Sequence, residues 1–154
     1  TLSSGCSTTG FPPGFSCKCT NSFGNRAPEG YKAGVKARLS KDFFFEAGQS
    51  LPNVPPGHKC GSMHGHSFKV EIIVEGEVDP HMGWVYDHAE ISRAMEPLLD
   101  YIDHKYLNEL PELENPTIEH IAAWFWRKLT PSLPGVVEII VHETPTARCI
   151  YRGE

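Results

Sequence analysis

Hydrophobic and polar residues alternate along two stretches in the first half of the chain, the pattern of half-buried β-strands. In the first, VKARLSKDFFFEAG, the side chains of Phe43, Phe45 and Ala47 share one face of the predicted strand. In the second, SFKVEIIVEGE, one face carries four apolar residues: Phe68, Val70, Ile72 and Val74. The pattern therefore predicts two antiparallel strands, each with one buried face.

Two later stretches show helical spacing instead. The first begins with the capping pattern of Asp87 and Glu90, and apolar residues then recur at helical intervals: Ile91, Met95, Leu98 and Ile102. Pro97 predicts a kink or an early turn in this helix. The second begins after Asn115-Pro116-Thr117, and its apolar stripe consists of Ile118, Ile121, Ala122, Phe125 and Leu129.

The second helix is followed by two further strand patterns, VVEIIVHE and ARCIYRG. The resulting order, β-β-α-α-β-β, predicts one α+β domain over residues 35–154. Residues 1–34 are rich in Gly, Ser, Thr, Pro and Asn and have no periodicity. We therefore interpret this segment as an N-terminal extension or linker.

Composition and charge narrow the function classes. The 154 residues include 14 basic and 19 acidic side chains mixed along the chain, so a nucleic-acid-binding surface is not indicated. No apolar stretch has the length of a membrane helix. The 5 cysteines cannot all pair within one chain, which favours a reducing compartment. We expect a soluble, cytoplasmic protein.

The stretch HKCGSMHGHSF concentrates groups that could perform chemistry. His64 and His66 are two residues apart, so in a strand they share a face and lie about 6.5 Å apart along the chain. They could bind one metal ion, or they could simply be polar residues at the mouth of a strand. A zinc site would need a third ligand, for which His58 and Cys60 are candidates.

Four other residues suggest proton transfer or ligand recognition. Cys60 lies among histidines and glycines, where it could act as a base or nucleophile if it does not bind metal. Asp103 precedes His104, and a carboxylate can orient an imidazole for proton transfer, although the pair could equally just end the helix. Glu143 ends an apolar strand face and could bind a planar pair of donors on a ligand.

Four segments together resemble the 6-pyruvoyl-tetrahydropterin synthase superfamily, and most closely its 6-carboxytetrahydropterin synthases of the bacterial queuosine pathway. They are FEAGQSLPNVPPGHKCGSMHGHSFKVE, GEVDPHMGWVYDHAEI, LDYIDHKYLNELPELENPT and HETPTARCIYRGE. The resemblance runs from about Lys41 to Glu154. It implies the tunnelling fold (T-fold), an antiparallel four-stranded sheet with two helices, whose subunits close barrels as trimers or hexamers.

The resemblance also implies a Zn²⁺ cofactor bound by three histidines, two of which correspond to His64 and His66. The third position is occupied here by Gln49, in FEAGQSLP, and an amide oxygen is a poorer zinc ligand than an imidazole. Gln49 could bind weakly, His58 or a water could replace it, or the site could be empty.

The remaining site residues are likewise implied by the resemblance. Cys60, Asp103 and His104 correspond to the catalytic residues, while Glu143, Thr117 and Glu119 correspond to residues that bind the pterin. The implied activity is a lyase reaction that converts 7,8-dihydroneopterin triphosphate to 6-carboxytetrahydropterin. The alternatives are 6-pyruvoyl-tetrahydropterin synthase activity, or a non-catalytic pterin-binding or assembly subunit with a degenerate metal site.

Overall fold

The computed structural model describes residues 34–154, which form five strands and two helices. In chain order they are β1 (Lys36–Gln49), β2 (His64–Glu77), α1 (His88–Ile102), β3 (Lys105–Tyr106), α2 (Ile118–Leu129), β4 (Val136–His142) and β5 (Arg148–Tyr151). The predicted extension lies outside the described residues, apart from Gly34. Its interpretation stays a prediction.

The strands form one sheet in the order β3-β1-β2-β4-β5. The four predicted strands are antiparallel neighbours, and β1 and β2 form a long hairpin that pairs from Lys36 with Glu77 to Gln49 with His64. The predicted four-stranded antiparallel sheet needs one correction, because β3 adds a fifth strand parallel to β1. A two-residue strand is too short to show any alternation, so the sequence pattern could not reveal it.

Alternation along β1 and β2 decides which side chains form the core. Phe45 is 2% exposed and its ring stacks on Phe68 at 4.7 Å between centroids, whereas Phe44 on the opposite face is 69% exposed. Phe125 of α2 packs against Phe45 from the helical layer. The apolar face of the sheet is thus covered by the helices, and the same face carries His64 and His66 at its end.

Both helices begin at the predicted caps. The side chain of Asp87 accepts a hydrogen bond from the N–H of Ala89 at 2.8 Å, and the side chain of Thr117 accepts one from the N–H of His120. The helix α1 does not end at Pro97 but continues to Ile102. Pro97 is exposed, so water can solvate the carbonyl left without a donor. Within residues 34–154, neither helix is long and apolar enough to cross a membrane.

Candidate metal centre

The two histidines lie where the hairpin ends. His64 pairs with Gln49 and His66 pairs with Ala47, so both imidazoles are on the face that is buried farther along the strand. Their ring centroids are 5.0 Å apart. Nδ1 of His64 lies 2.8 Å from the carbonyl oxygen of Ser62, which accepts its hydrogen bond. This tautomer leaves Nε2 of His64 available as a metal ligand.

The carboxylate of Glu143 meets these histidines from the other side. Glu143 directly follows the last residue of β4. This strand pairs with β2 on the side opposite to β1. Oε1 of Glu143 is 3.4 Å from Nε2 of His66, and one ligand atom each from His64, His66 and Glu143 lie within 4.8 Å of one another. Two imidazoles and a carboxylate form a common ligand set for zinc and other divalent transition metals.

Gln49 is fully buried beside this group. Its amide nitrogen donates a hydrogen bond of 2.7 Å to Oε1 of Glu143, whereas its Oε1 atom has no hydrogen-bond partner in the described structure. An unpaired buried carbonyl oxygen is unfavourable, so this atom indicates that the site accepts a further group. The residues present therefore fit a metal ion, and ligation by Gln49 itself stays a prediction.

The contact between Glu143 and the histidines was not foreseen from the sequence, which assigned Glu143 to substrate recognition alone. The available signal was its parity with Val141, a residue that is completely buried on the core face of β4. This parity predicts on which face of the sheet Glu143 lies, but not which strand lies beside β4. The missing information was that β4 lies beside β2, because strand order is not encoded in a period of two.

Asp103 and His104 form a local pair directly after α1. The backbone N–H of Glu46 donates to Oδ1 of Asp103 at 2.8 Å, and the N–H of His104 donates to the carbonyl of Glu46 at 2.6 Å. The first of these bonds, together with the imidazole of His104, lowers the pKa of Asp103. His104 has φ of 56°, a left-handed conformation that is uncommon for a residue with a side chain. The strand β1 thus fixes the predicted acid–base pair.

Cys60 lies in the loop between β1 and β2, within the 3₁₀ turn Lys59–Gly61. Its backbone N–H donates to Nδ1 of His58 at 3.1 Å, and its carbonyl accepts from Leu51 at 2.8 Å. Nδ1 of His58 therefore caps this turn, and the converging metal-ligand group does not include His58. Cys60 is partly buried, and its catalytic role stays a prediction.

The two predicted pterin contacts, Thr117 and Glu119, lie at the start of α2. Thr117 caps the helix, and Glu119 is exposed in its first turn. The pKa of the Cys149 thiol is raised by burial and by the negative charge of Glu119. Neither Thr117 nor Glu119 lines either of the two described cavities that contain His66, and their pterin contact stays a prediction.

Two open cavities meet at His66. One, of about 490 Å³, is also lined by Glu46, His104 and Lys105, and the other, of about 530 Å³, by Lys69 and Glu143. Both have the volume of ordinary small-molecule sites. His66 thus shares one cavity with Glu143 and another with His104.

The described chain is thus an α+β sheet that carries a two-histidine, one-carboxylate group able to hold a metal ion, beside two cavities of small-molecule size. The family model described as 6-pyruvoyl tetrahydropterin synthase matches residues 38–154. The chain belongs to this family. The resemblance noted in the sequence is therefore confirmed, and the family supports a lyase-type enzyme.

Individual relatives carry different names. The chain is 37% identical over 119 residues to a 6-carboxy-5,6,7,8-tetrahydropterin synthase of Synechocystis sp., a match that covers 73% of this chain and 91% of that protein. It is 35% identical over 105 residues to a dihydroneopterin monophosphate aldolase of Pyrococcus furiosus, covering 68% of this chain and 85% of the relative.

The fold agrees with a solved structure of the family. The 6-pyruvoyl tetrahydropterin synthase of Caenorhabditis elegans superposes with a TM-score of 0.74 at 24% identity, covering 80% of this chain and all of the other. This likeness establishes the T-fold.

Proposed function

We propose that this protein is a 6-carboxy-5,6,7,8-tetrahydropterin synthase, the activity that its Synechocystis relative is named for. The observation that carries the proposal is the convergence of His64, His66 and Glu143 beside the cavities that His66 lines. The substrate would be 7,8-dihydroneopterin triphosphate. The reaction takes up a water molecule and releases acetaldehyde and triphosphate, which balances the atoms.

Zinc is the proposed cofactor, held by His64, His66 and a third donor from the Gln49–Glu143 pair. When bound, it would polarise the side-chain oxygens of the substrate and make the neighbouring C–H groups more acidic. Oε2 of Glu143, the oxygen that does not accept from Gln49, would accept an N–H···O hydrogen bond from the aminopyrimidine edge of the pterin.

Proton transfer is assigned to Cys60 and His104. His104 lines the first cavity with a largely exposed imidazole, and its Nδ1 lies 2.9 Å from Oδ2 of Asp103. This contact fixes the ring, so Nε2 can accept or donate a proton. Cys60 lies four residues before His64 and is proposed as the second proton carrier.

The triphosphate needs a cation near the reacting carbons, and the structure favours Lys105. This residue is exposed and lines the cavity that contains His104. Lys69 also lines a cavity, but its ammonium already contacts Asp42 at 3.1 Å and Glu71 at 2.9 Å. We further propose a homo-oligomer, trimer or hexamer, in which Thr117 and Glu119 reach the pterin of a neighbouring copy.

The test is to incubate the purified protein, loaded with zinc, with 7,8-dihydroneopterin triphosphate and to identify the products by mass. Formation of 6-carboxytetrahydropterin with an equal amount of acetaldehyde is expected. A product that keeps the three-carbon chain would indicate 6-pyruvoyl-tetrahydropterin synthase activity instead, and an aldol cleavage product would indicate an aldolase. No turnover by metal-loaded protein would favour the non-catalytic pterin-binding or assembly subunit.

A further inference from the structure

We propose that Glu143, and not Gln49, is the third protein ligand of the metal, and that Gln49 is a positioning residue for the carboxylate. The inference rests on the proposed function only in that a divalent metal is bound at this site. It replaces the family pattern of three histidines by two histidines and a glutamate, and it assigns the buried glutamine a different task.

The first argument is the orientation of the amide. The nitrogen of Gln49, which cannot bind a metal while it is protonated, is the atom that faces Glu143 at 2.7 Å. Turning the amide over would place its carbonyl oxygen against a carboxylate oxygen in a fully buried position, where water cannot screen the repulsion. The hydrogen bond therefore fixes the orientation of the amide, and we assign the unpaired Oε1 of Gln49 to accept a hydrogen bond from a water or a substrate hydroxyl rather than to bind the metal.

The second argument is the position of the carboxylate. Oε1 of Glu143, the atom that accepts from Gln49, also lies 3.4 Å from Nε2 of His66. A charged carboxylate oxygen is a stronger ligand for a divalent metal than a neutral amide oxygen. Sites that use two histidines and a glutamate hold zinc in known metalloenzymes and leave a coordination position open for substrate.

The third argument is the role that remains for Gln49. Carboxylates that bind metals are commonly held by a hydrogen-bond donor from a neighbouring group. The amide of Gln49 supplies such a donor, and its own position is fixed because the flanking residue Ser50 is clamped to Asn108. The N–H of Ser50 donates to the Asn108 side chain at 2.8 Å, and the Asn108 amide donates to the Ser50 carbonyl at 2.7 Å.

The experiment measures binding of Co²⁺ and Zn²⁺ by the full chain after removal of metal with a chelator, in the absence of substrate. Calorimetry gives the affinities, and the visible absorption of bound Co²⁺ reports the ligand set. The variants are Glu143→Gln, which removes the charge, and Gln49→Met, which removes the amide at similar length. Glu71→Gln is the matched control, because Glu71 also accepts from a histidine, His142, at 2.7 Å.

Loss of a ligand should lower the metal affinity of Glu143→Gln by more than about 100-fold. Loss of an orienting group should lower the metal affinity of Gln49→Met by about 10- to 100-fold. The control should bind like the unchanged protein. The Co²⁺ bands should shift in Glu143→Gln and keep their positions in Gln49→Met. Unchanged bands in Gln49→Met exclude Gln49 as a ligand even if Glu143→Gln fails to fold.

The inference is overturned if Gln49→Met changes the Co²⁺ bands, if Glu143→Gln preserves both bands and affinity, or if the unchanged protein binds neither metal. These outcomes are independent of the reaction. A protein that binds metal through Glu143 but forms a different product would refute the proposed function and leave this assignment standing.

Discussion

Asp103 and His104 are both held by one residue of β1, Glu46. The backbone N–H of Glu46 donates to the side chain of Asp103, and its carbonyl accepts from the backbone N–H of His104. Oδ2 of Asp103 then lies 2.9 Å from Nδ1 of His104. The imidazole is 76% exposed, so it can reach a substrate although its backbone is held in an uncommon conformation. The relationship explains how the imidazole that we propose for proton transfer can be both fixed and accessible.

Removing this imidazole should impair catalysis without affecting metal binding. We expect His104→Ala to lower kcat by about 100-fold or more, the usual contribution of a general acid or base. Asp103→Asn should lower kcat less, because the imidazole remains but loses the charge that orients it. Steady-state kinetics on metal-loaded protein measures both effects. Unchanged kcat in His104→Ala would remove this residue from the reaction.

Asp103 should also make stability depend on pH. The pKa of Asp103 is lowered in the folded state, chiefly by the N–H of Glu46 and then by His104. The stability that this carboxylate contributes is therefore present above its unfolded pKa of about 3.9 and is lost as the pH falls through its folded pKa. Asp103→Asn should therefore be less stable than the unchanged protein at pH 7, and the difference should shrink in acid.

Denaturant unfolding across this range of pH measures the difference. The control is Asp100→Asn, an exposed carboxylate in α1. If the difference in free energy of unfolding between Asp103→Asn and the unchanged protein stays constant from neutral to strongly acid pH, Asp103 is not the source of the pH dependence.

Lys105 should contribute to binding of the triphosphate. It lines the cavity with His104, and a charge-assisted hydrogen bond lost from such a group should raise KM by about tenfold or more. Lys105→Ala is the variant. Lys36→Ala is its control, since Lys36 is exposed at the opposite end of the hairpin. Equal KM values for the two variants would exclude the contact.

Two neighbouring phenylalanines provide a test of the fold itself. Phe45→Ala removes a buried ring stacked on Phe68, and we expect it to cost about 3–5 kcal/mol of the free energy of unfolding. Phe44→Ala removes a ring that is 69% exposed in the described chain, and its effect should be within about 0.5 kcal/mol. Similar losses for both would show that a partner covers Phe44.

Much of the fold could be predicted because residue periods report burial directly. Phe68 lies between the polar residues Ser67 and Lys69, and its face, which Phe45 shares across the hairpin, is the buried one. His64 and His66 share that parity, so the sequence also predicted that their side chains would lie on one face. The short strand Lys105–Tyr106 was missed because its pairing depends on the edge of β1 rather than on its own composition.

The site was predictable only in part for a related reason. Residues close in sequence could be grouped, but the contact between Gln49 and Glu143 joins positions 94 residues apart across three strands. Such contacts depend on strand order, which local patterns do not contain. Thr117 and Glu119, assigned by resemblance, do not line the two described cavities that contain His66.

Zinc dependence of 6-carboxytetrahydropterin formation is the decisive measurement for the proposed activity. Protein stripped with a chelator should form no product from 7,8-dihydroneopterin triphosphate, and addition of an equimolar amount of Zn²⁺ should restore formation of 6-carboxytetrahydropterin and acetaldehyde. His64→Ala should not be restored. Full turnover by the metal-free protein, or restoration of His64→Ala by equimolar zinc, would contradict the account.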